Sequence, residues 1–264
     1  MDVVRRQWLV AACSVSAGVV LLGCNVSPAG KDEGDEESDK EGAKLAAAVV
    51  SAPEDLMREH GVLRRALLVY QECGVKLRSS PGEIQPEALQ KTAKLFRVFG
   101  EEYHEQKLEE AFIFPAVLKA GGLAAAYAGV LTAQHQRGRE LTDYILSVTA
   151  AARLASGNVE PLARVLESFV RMYEHHANIE DTMVFPAWKQ TMNVEQMDLL
   201  GDKFEEIEQQ QFGKDGYEDV VKRIGDIEAS LGLADLGQFT AAPPPVLPQT
   251  KPQDKTDVPK DKPK

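Results

Sequence analysis

Tyr103-His104-Glu105-Gln106-Lys107-Leu108-Glu109-Glu110-Ala111-Phe112-Ile113-Phe114-Pro115 decides how this chain folds, because the stretch occurs twice. At an offset of 71 residues Glu174 leads into His175-His176, and then Glu180-Asp181-Thr182-Met183-Val184-Phe185-Pro186 repeats the acidic step into Phe-Pro. A second matched pair precedes each copy: Leu56-Met57-Arg58-Glu59-His60 and Leu131-Thr132-Ala133-Gln134-His135. The chain therefore reads as two helical hairpins. Each offers one histidine from its first helix and a histidine plus glutamate from its second.

Working outward from these segments, the pattern is helical from about 53 to 232. Leu56, Val62-Leu63, Ala66-Leu67 and Tyr70 recur at helical spacing behind the first turn Pro53-Glu54-Asp55. Ser79-Ser80-Pro81-Gly82 ends that helix. Further helices are predicted over about 85–114, ending before Lys119-Ala120-Gly121-Gly122, then over 123–155, stopping near Gly157-Asn158, and over 159–188. Shorter ones are predicted over 194–210, with Asn193 as N-cap, and over 217–231. No alternating run is long enough for a sheet. Four long helices joined by short loops predict an all-α, up-down-up-down four-helix bundle plus short C-terminal helices.

All five histidines, His60, His104, His135, His175 and His176, fall within the four long helices. Helical positions four apart share one face, so His176 and Glu180 can grip one ion together. Two such pairs, with a histidine from each remaining helix, would build a box of imidazoles and carboxylates in the bundle core. Inward carboxylates are otherwise costly, and a metal supplies the compensating charge. Imidazole with bridging carboxylate suits iron better than calcium or magnesium, which favour all-oxygen cages; ligand type alone leaves zinc open. A lone His/Glu pair would read as an exposed surface contact. Four helices each bearing a histidine, with the glutamate-to-Phe-Pro segment duplicated, argue for a metal site.

Glu59-His60-Gly61, His104 with Glu109-Glu110 and Phe114-Pro115, Gln134-His135, and His176 with Glu180-Asp181 and Phe185-Pro186 resemble the haemerythrin-like cation-binding (HHE) domain over about residues 54 to 190. The resemblance implies a four-helix bundle holding two non-haem iron ions bridged by carboxylates, without an organic cofactor. Carried over position by position, it implies His60, His104, Glu109, His135, His176 and Glu180 as ligands. Three departures stand out. His104 and Glu109 are separated by one residue more than the family's His-x-x-x-Glu, so on a regular helix they diverge by roughly 140°. A π-turn would absorb the insertion, or Glu105 would join or replace Glu109. His175 aligns with His104 by offset, whereas His176 has the family spacing to Glu180 and is favoured. Finally, Arg139 stands where oxygen-carrying haemerythrins place a further histidine. One ion should then lose a nitrogen donor, and the reduced centre should be oxidised by oxygen rather than bind it reversibly.

The two ends look unlike a folded domain. Arg5 and Arg6 precede the uncharged run 8–22, about 15 residues where roughly 20 would span a bilayer, so a signal peptide over 1–23 is expected. Leu21-Leu22-Gly23-Cys24 resembles the bacterial lipoprotein box, with Cys24 acylated and the chain lipid-anchored to a bacterial membrane, facing the periplasm or exterior. Arg5-Arg6-Gln7-Trp8-Leu9 partly resembles a twin-arginine export signal, which leaves the export route open. The segment 24–52, with its charged run 31–40, should be a solvated tether, and 233–264, rich in proline and lysine, a disordered tail. Cys13 leaves with the signal and Cys24 is lipidated, so Cys73 alone stays in the fold and no intrachain disulfide can form. Net charge is −11, and loss of Asp2, Arg5 and Arg6 leaves 40 acidic against 28 basic residues, net −12. Such a balance disfavours nucleic acid and anionic lipid surfaces. The function expected is a binding or sensing module for iron, dioxygen or nitric oxide. A redox enzyme acting on peroxide or nitric oxide, with an unknown redox partner, or a metal-storing structural lipoprotein, are the alternatives.

Overall fold

The computed structural model describes residues 50–213 and 216–245. The signal segment, Cys24, most of the tether and the end of the tail lie outside them. Among the described residues there are eight α-helices and no strand. No helix among them is long and apolar enough to cross a membrane.

Helix α1 spans Ala52–Ser79 and opens as the sequence suggests, with proline in its first turn and Glu54 and Asp55 set against the positive end of the helix dipole. Its buried face carries Leu56, His60, Leu63, Leu67, Tyr70 and Leu77. The next rod is continuous. Helix α2, Pro86–Leu95, runs into a π-helical stretch Phe96–Ile113 and on into α3, Phe114–Ala120. The rod thus extends six residues past the expected end at 114, straight through Pro115. Proline has no N–H and its ring crowds the carbonyl four residues back. Here the turn before it has opened, and the Phe114 N–H reaches Glu109 O, five residues back, so the helix survives.

Gly121 and Gly122, with φ of 76° and 79°, turn the chain directly into α4, Gly122–Val148. That helix stops seven residues short of the expected 155. The Thr149 hydroxyl bonds Ile145 O, the Gln90 amide caps Leu146 O, and residues 150–153 are exposed, with no apolar face left to bury. Helix α5, Val159–Ile179, continues through a second π-turn, Glu180–Val184, into α6, Phe185–Lys189. Its Phe185 N–H bonds Glu180 O just ahead of Pro186, repeating the device of the first hairpin.

Helix α1 lies along α5, and α4 packs on α2, on the π-helical stretch and on α5. The core between them is aromatic: Phe96, Phe169 and Tyr173 have ring centroids 4.7–4.8 Å apart, with Tyr70 edge-on to Phe169 at 5.2 Å. Helix α7, Val194–Phe212, begins with a full capping box between Asn193 and Gln196. It docks through Phe204 on Trp188 and Phe112, and through Phe212 on Tyr103. Helix α8, Gly216–Ser230, packs on α1 and α2, tied by the Arg65–Glu228 ion pair. In the segment expected to be a tail, Leu236–Phe239 forms one 3₁₀ turn.

Candidate metal centre

Four buried imidazoles converge from four helical segments: His60 from α1, His104 from the π-helical stretch, His135 from α4 and His176 from α5. Glu109 and Glu180, both fully buried, lie between them. Glu109 faces His104 Nε2 at 3.3 Å through Oε1 and His135 Nε2 at 3.3 Å through Oε2. Glu180 Oε2 lies 3.0 Å from His176 Nε2 and 3.5 Å from His60 Nε2. The Nε2 atoms of His135 and His176 are 3.1 Å apart. Two overlapping groups result, each with ligand atoms within 4.8 Å of one another: His60, His104 and Glu109, and Glu109, His135, His176 and Glu180. All six residues singled out in the sequence are therefore together.

The five-residue step from His104 to Glu109 works because the backbone there is π-helical. Its turns are wider than the 3.6 residues of an α-helix, which brings the two side chains back towards the same face. Glu105, the alternative, lies one layer out, accepting from the Tyr173 hydroxyl at 2.7 Å and from Arg139 at 3.2 Å. His175 is exposed, whereas His176 is buried in the cluster.

The residues beside the histidines turn out to have roles that the sequence reading quoted but did not assign. Each imidazole is held through Nδ1. His60 donates to Asp181 at 2.7 Å, His104 to Glu59 at 2.6 Å, His135 to Glu110 at 2.8 Å and His176 to Gln134 at 3.0 Å. The pattern is duplicated and interlocked. Glu59 and Gln134, each just before a first-helix histidine, hold the second-helix histidine of their own hairpin. Glu110 and Asp181, each just after a ligand-like glutamate, hold the first-helix histidine of the other hairpin. Arg64 and Arg139, each four residues after a first-helix histidine, clamp Asp181 and Glu110 in turn. Arg139 is thus a partner of the outer carboxylates rather than a replacement ligand. The 71- and 75-residue offsets that relate the hairpins mark these residues as equivalent positions, but not which histidine each one holds.

The outward bonds fix every Nδ1–H and leave every Nε2 facing inward, the tautomer a metal ligand needs. Inside, His104 Nε2 and both carboxylate oxygens of Glu109 and Glu180 are buried without a hydrogen-bond partner. Buried polar atoms left so are costly, and a cation is what would satisfy this set of nitrogen and oxygen donors together. Electrostatics agree. Burial would lower the His104 imidazole, but Glu109 and Glu59 outweigh it and hold it well above its ordinary value. His135, against the same burial, is raised to about 10 by Glu105, Glu109 and Glu110, and His60 is raised by Asp181 and Glu180. Burial would raise Glu109, yet His104 and His135 hold it well below the usual carboxylate range.

Beside the cluster is a cavity of about 10 Å³, room for roughly one water-sized molecule. Its wall is apolar at Leu63, Leu67 and Ala177 and polar at Arg64, Glu105 and Tyr173. Tyr173 reaches Glu105 only because Gly138 stands opposite; a Cβ there would lie 2.0 Å from the phenol oxygen.

Comparison with known proteins agrees with this geometry. The chain is 41% identical over 239 residues to uncharacterized proteins of Mycobacterium tuberculosis and Mycobacterium bovis, covering 89% of this chain and 90% of each relative. No solved structure matches it. The model of the hemerythrin HHE cation binding domain matches residues 51–188, over the helices that supply all six inward-facing residues, and the chain belongs to that family.

Proposed function

We propose that the chain holds a pair of iron ions between its two hairpins, which run up-down-up-down, and uses them to bind or sense a small ligand such as dioxygen or nitric oxide at the cell envelope. His60 and His104 would hold one ion and His135 and His176 the other, with Glu109 and Glu180 between them. The observation that carries this reading is the convergence of four fixed Nε2 atoms on carboxylate oxygens that have no other partner. Such a centre, when loaded, supplies one-electron redox change and an open position for a ligand. The chain's own residues do the rest. Leu63, Leu67 and Ala177 keep bulk water out of the adjoining cavity, and Arg64 and Tyr173 put polar hydrogens at its edge. Metal analysis of anaerobically loaded protein, with optical spectra before and after air, tests this. Two irons per chain and oxidation by air are expected; absence of iron from folded protein would sink the reading.

One observation favours a second reading, a redox enzyme acting on peroxide or nitric oxide. Two buried phenols, Tyr103 and Tyr173, donate to carboxylates of the outer layer, Glu59 at 3.0 Å and Glu105 at 2.7 Å. Phenols so placed can release a proton to a carboxylate as an electron leaves. Turnover of either substrate with a supplied reductant separates enzyme from binding module. Anchoring through Cys24 is supported by the Leu21-Leu22-Gly23-Cys24 box, and a Cys24→Ser variant should leave the membrane fraction. Retention there would count against a lipid anchor.

A further inference from the structure

The four bonds that hold the imidazoles through Nδ1 repeat between the hairpins with one chemical exception. Asp181 and Glu110 occupy equivalent positions, and both are carboxylates clamped by an arginine, Arg64 and Arg139. Glu59 and Gln134 are also equivalent, but one is a carboxylate and the other an amide. Glu59, 2% exposed, takes the His104 Nδ1–H at 2.6 Å and the Tyr103 hydroxyl at 3.0 Å, with no guanidinium hydrogen-bonded to it. Gln134, half-buried, takes the His176 Nδ1–H at 3.0 Å through a neutral carbonyl.

A carboxylate behind an imidazole pulls on its N–H and makes the opposite nitrogen a stronger donor; a carbonyl does so less. The four imidazoles therefore form a graded series. His104 has a carboxyl group behind it with no arginine on it. His60 and His135 have carboxyl groups that an arginine also holds. His176 has only an amide carbonyl behind it. His60 and His104 form one of the two overlapping groups with Glu109, and His135 and His176 form the other with Glu109 and Glu180, whose Oε2 also lies 3.5 Å from His60 Nε2, so both carboxylates face both pairs. We infer that Glu59 and Gln134 make the two ion positions unequal, so that a first divalent cation settles on the His60/His104 side and a second, more weakly, on the His135/His176 side. The inference rests on the proposed two-ion centre. It adds that the chain has a fixed order of loading, written at a single pair of equivalent positions.

Two dications repel each other, so even equal positions would show a tight and a weak step. The test must therefore read where each ion goes. Zinc is added by equivalents to the full-length, metal-free protein carrying ¹⁵N-labelled histidine, and imidazole resonances are followed by NMR. The first equivalent should shift His60 and His104, and the second His135 and His176. Constants from chelator competition should change separately. Removing a partner of a ligating histidine typically costs 10–100-fold in affinity, so Glu59→Gln should weaken the first step by about that much. Gln134→Glu should tighten the second by about tenfold and leave the first nearly unchanged. Gln134 is half-buried, so this variant keeps the test alive should Glu59→Gln fail to fold. A first equivalent that settles on His135 and His176, or spreads over all four rings, overturns the inference, as does an unchanged second step in Gln134→Glu. Zinc that binds nowhere would instead sink the two-ion centre itself.

Discussion

The two hairpins present the same chemistry on differently wound backbones. In the second, buried positions follow an ordinary helix: Leu162, Leu166, Phe169, Tyr173, His176 and Glu180. In the first, they run Phe96, Gly100, His104, Glu109 and Ile113, a spacing of four to five, through the π-helical stretch. Yet both end alike, with a Phe N–H bonded to the glutamate carbonyl five residues back and a proline next. The lesson is that a ligand face is preserved by turn width as well as by residue spacing. An inserted residue need not displace a carboxylate if the helix widens to keep it in line.

The largest expected effect probes where the hairpins meet. Glu109 belongs to both donor groups and Glu180 to one. On the proposed two-ion centre, Glu109→Ala should cost both ions, whereas Glu180→Ala should cost one, as read by metal analysis of folded protein. Equal losses would mean that the two glutamates are interchangeable and the hairpins more symmetric than their backbones.

Next come two glycines, one in each hairpin. A Cβ on Gly138 would lie 2.0 Å from Tyr173 Oη and 2.8 Å from Cζ. Gly138→Ala should therefore destabilise by about 3 kcal/mol, the upper end for overpacking a core. At Gly100 the closest atom is Leu63 Cδ2 at 3.1 Å, the end of a flexible side chain. Gly100→Ala should stay within about 1 kcal/mol of the parent, since the helix gains propensity as the contact tightens. Thermal melts of both variants would show the order, and a reversed order would mean that the wide turn tolerates less than the regular one.

A smaller effect lies at Glu101, whose counterpart in the second hairpin, at the 71-residue offset, is Met172. Burial pushes the Glu101 carboxyl up to about 7, despite the Thr142 hydroxyl at 2.5 Å and the Arg97 guanidinium at 2.7 Å. A folded value above the unfolded one means that the native state binds the proton more tightly. This contribution is full at low pH and is lost as pH rises through about 7. Glu101→Gln, which cannot ionise, should therefore gain about 1–2 kcal/mol relative to the parent between pH 5 and 8, by denaturant unfolding at each pH. A difference independent of pH would show that Glu101 stays ionised. Least of all should His175→Ala matter. Exposed on α5, it should change neither metal content nor stability, whereas the His176→Ala control should lose an ion.

How much of this was legible beforehand follows from which physics each feature uses. The six inward-facing residues could be read because duplication and helical spacing are both properties of the chain. The π-helical stretch could be suspected from one surplus residue between His104 and Glu109, but no surplus residue marks its start, back at Phe96. The early end of α4 was hidden because 150–155 has good helix formers; it is lost burial that stops the helix, not poor propensity. The crossed pairing of Glu110 with His135 and of Asp181 with His60 spans different hairpins, and no local pattern encodes it.

The raised imidazoles facing lowered carboxylates have a consequence for how the protein handles protons. In the metal-free chain His60, His104 and His135 hold a proton more tightly than a free imidazole does, beside the lowered carboxyls of Glu109 and Glu180. A metal can take those nitrogens only by expelling the protons, so loading is an exchange of a few protons for cations rather than a simple addition. Uptake should acidify weakly buffered solution, and apparent affinity should climb steeply with pH. Acidification would favour release of the metal without any change in the fold.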